Sequence, residues 1–379
     1  MQRTAPPAAR EFHRFRILRH IRAVGPVSRA ELARVSQINP ATISALVAGL
    51  VERGLVREVG LGSSRGGRRP KLLELTPSGL HFVGVDFGIR TMVGVLTNLA
   101  GDVIAEREMA VSAPHVVEQV LGTAEHMVRG LLQDAGLERD ELVGVGLSIP
   151  GIWAPGQGVL FLPNAAGWSG LDVEALLEDR LGLPVRVEND GSACALGEKW
   201  FGKGDPYGSF VHVMVDDGVG AGIMLPEGLL VGQGRGAAEL GHLPVSGDGP
   251  TCNCGRRGCL ETVGSYAAYR RYRAEGMDEA AALDRCAGYL AQAIAAVIDL
   301  LVPECIFLGG PMIRDFQNLW AEVARRAHEL AVPVLAQQVR IMPSSLGERT
   351  AALGAVGILM EDVFAQGELA RRSSARMPG

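Results

Sequence analysis

Residues 239–261 read ELGHLPVSGDGPTCNCGRRGCLE, with His242, Cys252, Cys254 and Cys259 gathered in one short span. Three thiolates and one imidazole complete a tetrahedral shell for zinc and leave no open position for water, so the implied ion is structural rather than catalytic. Gly255 and Gly258 let the chain turn tightly enough for Cys254 and Cys259 to face one ion. A surface loop or a disulfide is the competing reading. Half of the six cysteines falling within residues 252–259 favours the metal. Glu239 and Glu261 bracket the knot without being needed as ligands. A rigid metal loop can aim two such carboxylates at a hydroxylated ligand.

The wider chain sets the context. At 379 residues it is long enough for two or three domains, and 47% hydrophobic with 21% charged content fits a large buried core. Neither a run of membrane-spanning length nor an apolar signal segment at the N-terminus is legible, so the expected site of action is the cytoplasm. Cysteines placed for metal agree with a reducing compartment, and Cys194, Cys286 and Cys305 read as buried core residues. The net charge of −5 conceals a split: residues 1–79 carry 14 Lys+Arg against 5 Asp+Glu, leaving 23 against 37 for the rest. A basic head on an acidic body points to nucleic acid as a partner of the head.

That head has a pattern. Residues 10–24 carry a helical apolar stripe. Ser28 with Glu31 forms a capping box before a short helix over 29–35, and Pro40 opens a third helix reaching about Arg53. Two helices joined by a tight turn make a helix-turn-helix whose second helix offers Pro40, Thr42 and Ser44 to base edges. Two β-prone runs, 55–59 and 72–75, flank a glycine-rich stretch bearing Arg65, Arg68, Arg69 and Lys71, which reads as a wing aimed at phosphates or a narrow minor groove. Thr76-Pro77-Ser78-Gly79 marks a boundary. The expected domains are thus 1–79 for DNA and 80–379 for a sensing body.

The body alternates strands, glycine-rich turns and helices, as an α/β fold does. Strands are expected at 82–86, 91–97, 102–109, 142–148, 183–187, 211–215, 306–308 and 339–342, with helices over 116–135, after Gly191, through much of 260–301, and over 350–364. The run Asp216-Asp217-Gly218-Val219-Gly220-Ala221-Gly222 reads as a turn. Asp190 follows a strand end, where α/β sheets bind ligands.

In order, the chain carries VGVDFGIRT (83–91), GLSIPG (146–151), ENDGSACALGE (188–198), DDGVGAG (216–222), ELGH (239–242), CNCGRRGCLE (252–261) and FLGG (307–310). This set resembles the ROK family of repressors and sugar kinases over nearly the whole chain. The resemblance implies an N-terminal winged helix-turn-helix followed by an α/β actin-like ATPase fold with two lobes: about 80–190 plus the helix from about 350, and about 191–349. It implies sugar contacts at Asn164, Asn189, Asp190, Glu239, His242 and Glu261. In the family's kinases the aspartate matching Asp190 is the general base on the sugar hydroxyl.

Two departures separate this chain from those kinases. The first phosphate loop, DxGGTK in the kinases, reads Asp86-Phe87-Gly88-Ile89-Arg90-Thr91 here, with a Cβ at Ile89 where backbone should approach phosphate. The second, GTGxGGG there, begins Asp216-Asp217-Gly218 here, and two carboxylates disfavour a triphosphate unless they hold a metal. ATP and magnesium are therefore not expected as cofactors, and zinc is. The expected function is a sugar-responsive repressor: a homo-oligomer, dimer or tetramer, on operator DNA with a sugar effector and no membrane partner. The alternative is an ATP-dependent ROK sugar kinase that retains Asp190 as catalytic base.

Overall fold

A computed structural model describes residues 7–63, 69–88, 90–154, 156–162, 166–232 and 236–366. The head holds helices Pro7–Val24, Arg29–Ser36 and Pro40–Glu52. Its strands are β1 (Val27–Ser28), β2 (Val56–Leu61) and β3 (Lys71–Leu75), in the order β1-β3-β2. The second and third helices start for local reasons. Ser28 Oγ accepts from the Glu31 N–H at 3.2 Å, and Asn39 Oδ1 accepts from the Ala41 N–H at 2.8 Å with Pro40 beside it. Gln37, at φ 57°, closes the preceding helix and makes the turn. Ile43, Leu46, Val47 and Leu50 face inward, which leaves Thr42 and Ser44 on the exposed face.

The body is one topology used twice. Lobe one contains β4 (His81–Phe87), β5 (Thr91–Asn98), β6 (Val103–Ala110) and β7 (Leu142–Ile149). A small hairpin of β8 (Ile152–Ala154) and β9 (Gly158–Phe161) follows, then β10 (Val185–Asn189). The main sheet runs β10-β7-β4-β5-β6, parallel from β10 to β4 and antiparallel beyond. Lobe two repeats it with β11 (Phe210–Val215), β12 (Val219–Leu225), β13 (Gly228–Leu229), β14 (Cys305–Gly309) and β15 (Arg340–Pro343), ordered β13-β12-β11-β14-β15. In both lobes an antiparallel hairpin, β4–β5 or β11–β12, turns towards the cleft.

Helices Asp190–Phe201 and Thr350–Glu361 cross between the sheets and pack backbone to backbone. A Cβ on Gly354 would sit 1.7 Å from the Ala193 carbonyl oxygen, so only glycine permits that approach. The head is joined to the same core: Ile17, Leu18 and Ile21 are buried in one cluster with Trp200, Val363 and Phe364.

Three readings of the sequence need correction. Residues 219–222 form strand β12 rather than a turn. Gly222 serves close packing, since a Cβ there would meet the Gly191 carbonyl oxygen at 2.3 Å. Hairpin β8–β9 and helix Val173–Leu181 were not foreseen, because their short apolar runs carry little periodicity. Helix Glu279–Leu301 is long and apolar enough to cross a membrane by length and composition, although half of its most apolar stretch is buried, through residues such as Leu290, Ile294 and Ile298. Cys286 and Cys305 are buried free thiols, each pushed up to about 12 by burial.

Candidate functional site

The knot forms because each turn has the residue it requires. Gly255 and Gly258 adopt φ of 86° and 64°, and a Cβ on Gly258 would lie 1.6 Å from the Ser246 carbonyl oxygen. Bridges between Pro244 and Cys259 and between Thr251 and Arg257 hold the loop. One ligand atom from each of His242, Cys252, Cys254 and Cys259 falls in a cluster whose members lie within 4.8 Å of one another. Tetrahedral zinc–sulfur bonds of about 2.3 Å set sulfur–sulfur edges of about 3.8 Å. Cys254 Sγ and Cys259 Sγ stand 3.7 Å apart, and Cys252 Sγ lies 3.4 Å from His242 Nδ1. The donor set and its spacing fit a zinc ion, with His242 Nδ1 turned inward.

The other face of His242 looks into the cleft. Its Nε2 lies 3.8 Å from Glu239 Oε2, while on the donor side Glu261 Oε1 comes within 3.5 Å of its Nδ1. Glu261 also accepts from the Cys252 thiol at 2.7 Å. Asp190 begins its helix directly after β10, with Asn189 as the cap. Asn189 is used on both sides: Oδ1 accepts from the Ser192 N–H at 3.1 Å and Nδ2 donates to the Gly151 carbonyl at 2.9 Å. It thereby ties the GLSIPG loop to the base of Asp190's helix. Asn164 lies outside the described residues.

These groups line a single interlobe cleft of about 1220 Å³. Its carboxyls are poorly solvated and crowd one another. Burial, with the charges of Asp190 and Glu261 adding to it, pushes Glu239 up to about 7. Burial raises Asp190 to about 6, opposed by the Gly191 N–H, which donates to its Oδ1 at 2.8 Å. Asp86, at the end of β4, is raised to about 7 by burial, although the Ser148 hydroxyl donates to it at 2.8 Å. Carboxyls held partly protonated near neutrality can both donate to and accept from hydroxyl groups, as a polyol requires.

The opposite end of the cleft is different. There Asp216 is raised by burial, and the guanidinium groups of Arg90, Arg270 and Arg314 work against that rise. Arg90, from the β4–β5 turn of lobe one, and Arg270, from helix Tyr266–Ala274 of lobe two, both donate to Asp217 in the β11–β12 turn. An interlobe ion pair therefore links the counterpart of the first phosphate loop, which carries Arg90, to the counterpart of the second, which carries Asp217. Ile89 lies outside the described residues. Neither Arg270 nor the link from Arg90 to Asp217 was visible in the sequence, because the partners are 53 and 127 residues away from Asp217.

In the head, Pro40, Thr42 and Ser44 lie exposed on the first turns of the third helix, where the Ser44 hydroxyl donates back to the Pro40 carbonyl at 2.9 Å. Arg69 is exposed. Lys71 is paired with Glu58, which also accepts from Arg29 at 2.9 Å. Arg65 and Arg68 lie outside the described residues.

Residues 82–362 match the ROK family. The chain belongs to the ROK family. Residues 11–69 match the MarR family, which fits the winged head. The chain is similar to a putative xylose repressor of Caldicellulosiruptor, 30% identical over 94% of this chain and 97% of that one. It is also similar to the DNA-binding transcriptional dual regulator NagC of Escherichia coli, 27% identical over 90% of this chain and 91% of that one. Among solved structures it resembles a ROK family transcriptional regulator described as a homologue of the Escherichia coli MLC protein. That likeness has a TM-score of 0.81 and 26% identity, and covers 97% of this chain and 100% of the other. The ROK fold with an N-terminal winged helix domain thus extends through the whole chain rather than through the kinase-like body alone.

Proposed function

We propose that this ROK protein is a sugar-responsive, DNA-binding transcriptional repressor of carbohydrate genes, not a working kinase. The observation that carries this reading is one helix. Asp190–Phe201 begins at the carboxyl cluster and ends against the DNA-binding head, about 18 Å away for twelve residues at 1.5 Å each. At the far end, Arg22 of the head donates to the Trp200 carbonyl at 2.8 Å and to the Ala100 carbonyl at 3.3 Å, and its guanidinium lies 5.0 Å from the centre of the Trp200 ring. Trp200 Nε1 and Lys199 Nζ both donate to Glu361, and the Trp200 ring lies 5.2 Å from that of Phe364. A displacement of Asp190 therefore has a stiff route to the head.

In this reading Asp190, Glu239, Glu261, Asn189 and His242, with Asn164, contact a neutral sugar. Sugar binding favours a closed arrangement of the lobes, and the helix carries that preference to the head. The ligand acts only through its difference in affinity between the two arrangements. Zinc on His242, Cys252, Cys254 and Cys259 supplies rigidity: it fixes the loop that presents Glu239 and Glu261. Pro40, Thr42 and Ser44 reach base edges, while Arg65, Arg68, Arg69 and Lys71 meet phosphates. The named repressor relatives support operator DNA as partner and a sugar as effector. A homo-oligomer suits an operator with half-sites about 34–36 Å apart.

A second reading, an ATP-dependent sugar kinase, is favoured by one observation. Asp190 sits at a strand end and is raised to about 6, close to the range in which a general base works at neutral pH. Incubating the purified protein with ATP, magnesium and a panel of hexoses, pentoses and N-acetylhexosamines separates the two. The regulator reading expects sugar-dependent thermal stabilisation without ADP release. ADP release that disappears in Asp190→Asn would install the kinase instead.

A further inference from the structure

The end of the cleft where the β4–β5 and β11–β12 turns meet is filled by the protein itself. Arg90 and Arg270 come from different lobes and converge on the two oxygens of one carboxylate: Arg90 donates to Asp217 Oδ2 and Arg270 to Asp217 Oδ1. Arg270 is placed before any ligand arrives. Its guanidinium lies 4.7 Å from the centre of the Tyr266 ring, the Tyr266 hydroxyl donates to Asp315 at 3.0 Å, and the Tyr266 N–H donates to the Asp216 carbonyl at 2.8 Å. Arg90 stands on the turn that Gly88 closes, where the Gly88 N–H donates to the Thr91 carbonyl at 3.1 Å. Two guanidinium forks facing each other across a cleft form a bidentate cradle of the kind that binds phosphoryl oxygens. Here the cradle holds a side chain.

We propose that Arg90 and Arg270 form an oxyanion site of the phosphate and pyrophosphate class, and that the Asp217 carboxylate masks it as a tethered internal anion. This goes beyond the sugar reading and does not depend on it, because neither arginine is among the residues assigned to the sugar. A carboxylate fixed to the rim competes at an effective concentration in the millimolar range, so a free oxyanion meets an already occupied site. The site adjoins the carboxyl end: a Cβ on Gly218, the residue after Asp217, would lie 3.5 Å from Glu261 Oε2. The expected lack of triphosphate binding then follows from occupation of the site. Simple repulsion by two acidic residues would leave the arginines free.

The test is calorimetric titration of inorganic pyrophosphate, without divalent cations, into the full-length chain. Wild type is expected to give little or no binding heat. Asp217→Ala is expected to bind pyrophosphate at least about tenfold tighter, and adding Arg90→Ala or Arg270→Ala should remove that gain. Should Asp217→Ala lose its far-ultraviolet circular dichroism, Asp217→Asn, which keeps the shape and removes the charge, takes its place under the same expectation. The proposal is overturned if the folded variant binds no tighter than wild type, or if the gain survives the loss of both arginines.

Discussion

The two ends of the cleft differ in construction: Asp86 and Asp190 stand at the ends of β4 and β10 with Glu239 on a loop, whereas the equivalent hairpins β4–β5 and β11–β12 meet at the other end. The carboxyl end keeps its groups unpaired by cations and raised by burial: Asp190 to about 6, Asp86 and Glu239 to about 7. The phosphate end has its cations paired: Arg90 and Arg270 meet Asp217, and Arg314 donates to Asp315 at 2.8 Å and also pairs with Glu348. Carboxyls without a lysine or arginine partner at one end suit a neutral, hydroxyl-rich ligand, while at the other the guanidinium groups are already engaged by carboxylates of the protein. On the proposed function, this cleft keeps the sugar half of a kinase's task and not the triphosphate half.

Removing the brace should separate the ends most completely. Cys254→Ser or Cys252→Ser is expected to abolish bound zinc, read by elemental analysis of the purified chain, and to remove sugar-dependent stabilisation. Zinc retained in full would show that the four donors do not share an ion. Next in size is Asp190→Ala. Loss of a charged hydrogen-bonding group is worth about 1.5–3 kcal/mol, so sugar affinity should fall about ten- to hundredfold by calorimetry, whereas the pyrophosphate behaviour of the other end stays as in wild type.

A smaller effect is expected where signal leaves the cleft. Arg22→Ala removes a cation–π contact and two hydrogen bonds to carbonyls, together about 1–3 kcal/mol. It touches no cleft residue. Sugar should bind as before while its effect on operator affinity shrinks, and an equal loss of both would move Arg22's role from coupling to general stability.

The smallest effect concerns pH. Asp86 and Asp190 hold protons in the folded chain above their ordinary value of 3.8, up to about 7 and about 6. Between those values and 3.8 the folded state binds more protons than the unfolded state, so stability falls as pH rises through the window. Asp86→Asn should therefore raise the thermal midpoint at pH 8, by about 2–4 °C for each kcal/mol relieved, with the gain fading towards pH 4. A gain independent of pH would point to packing instead.

The sequence was most legible where chemistry is local. The cluster of His242, Cys252, Cys254 and Cys259 needs only residue types and spacing within one loop, and the capping pair Ser28 and Glu31 lies three residues apart, with the Glu31 N–H meeting Ser28 Oγ at 3.2 Å. Periodicity and strand ends placed the alternating elements of the body and the position of Asp190. What stayed hidden was long-range. The Arg90–Asp217 pair joins turns of two lobes, and the hold of Arg22 on Trp200 spans 178 positions. Gly222 is hidden for a related reason. Its role is close contact with Gly191 and its helix, which only the folded packing reveals.

The most direct test of sensing without phosphoryl transfer is fluorescence anisotropy on a duplex that the protein itself has selected from a random pool. Operator affinity is titrated across the sugar panel in the absence of nucleotide, for wild type and for Asp190→Asn. The expected result is that at least one neutral sugar changes wild-type affinity without ATP, and that the change vanishes in the variant. Affinity that responds only when ATP is added, or that no sugar alters, would contradict it.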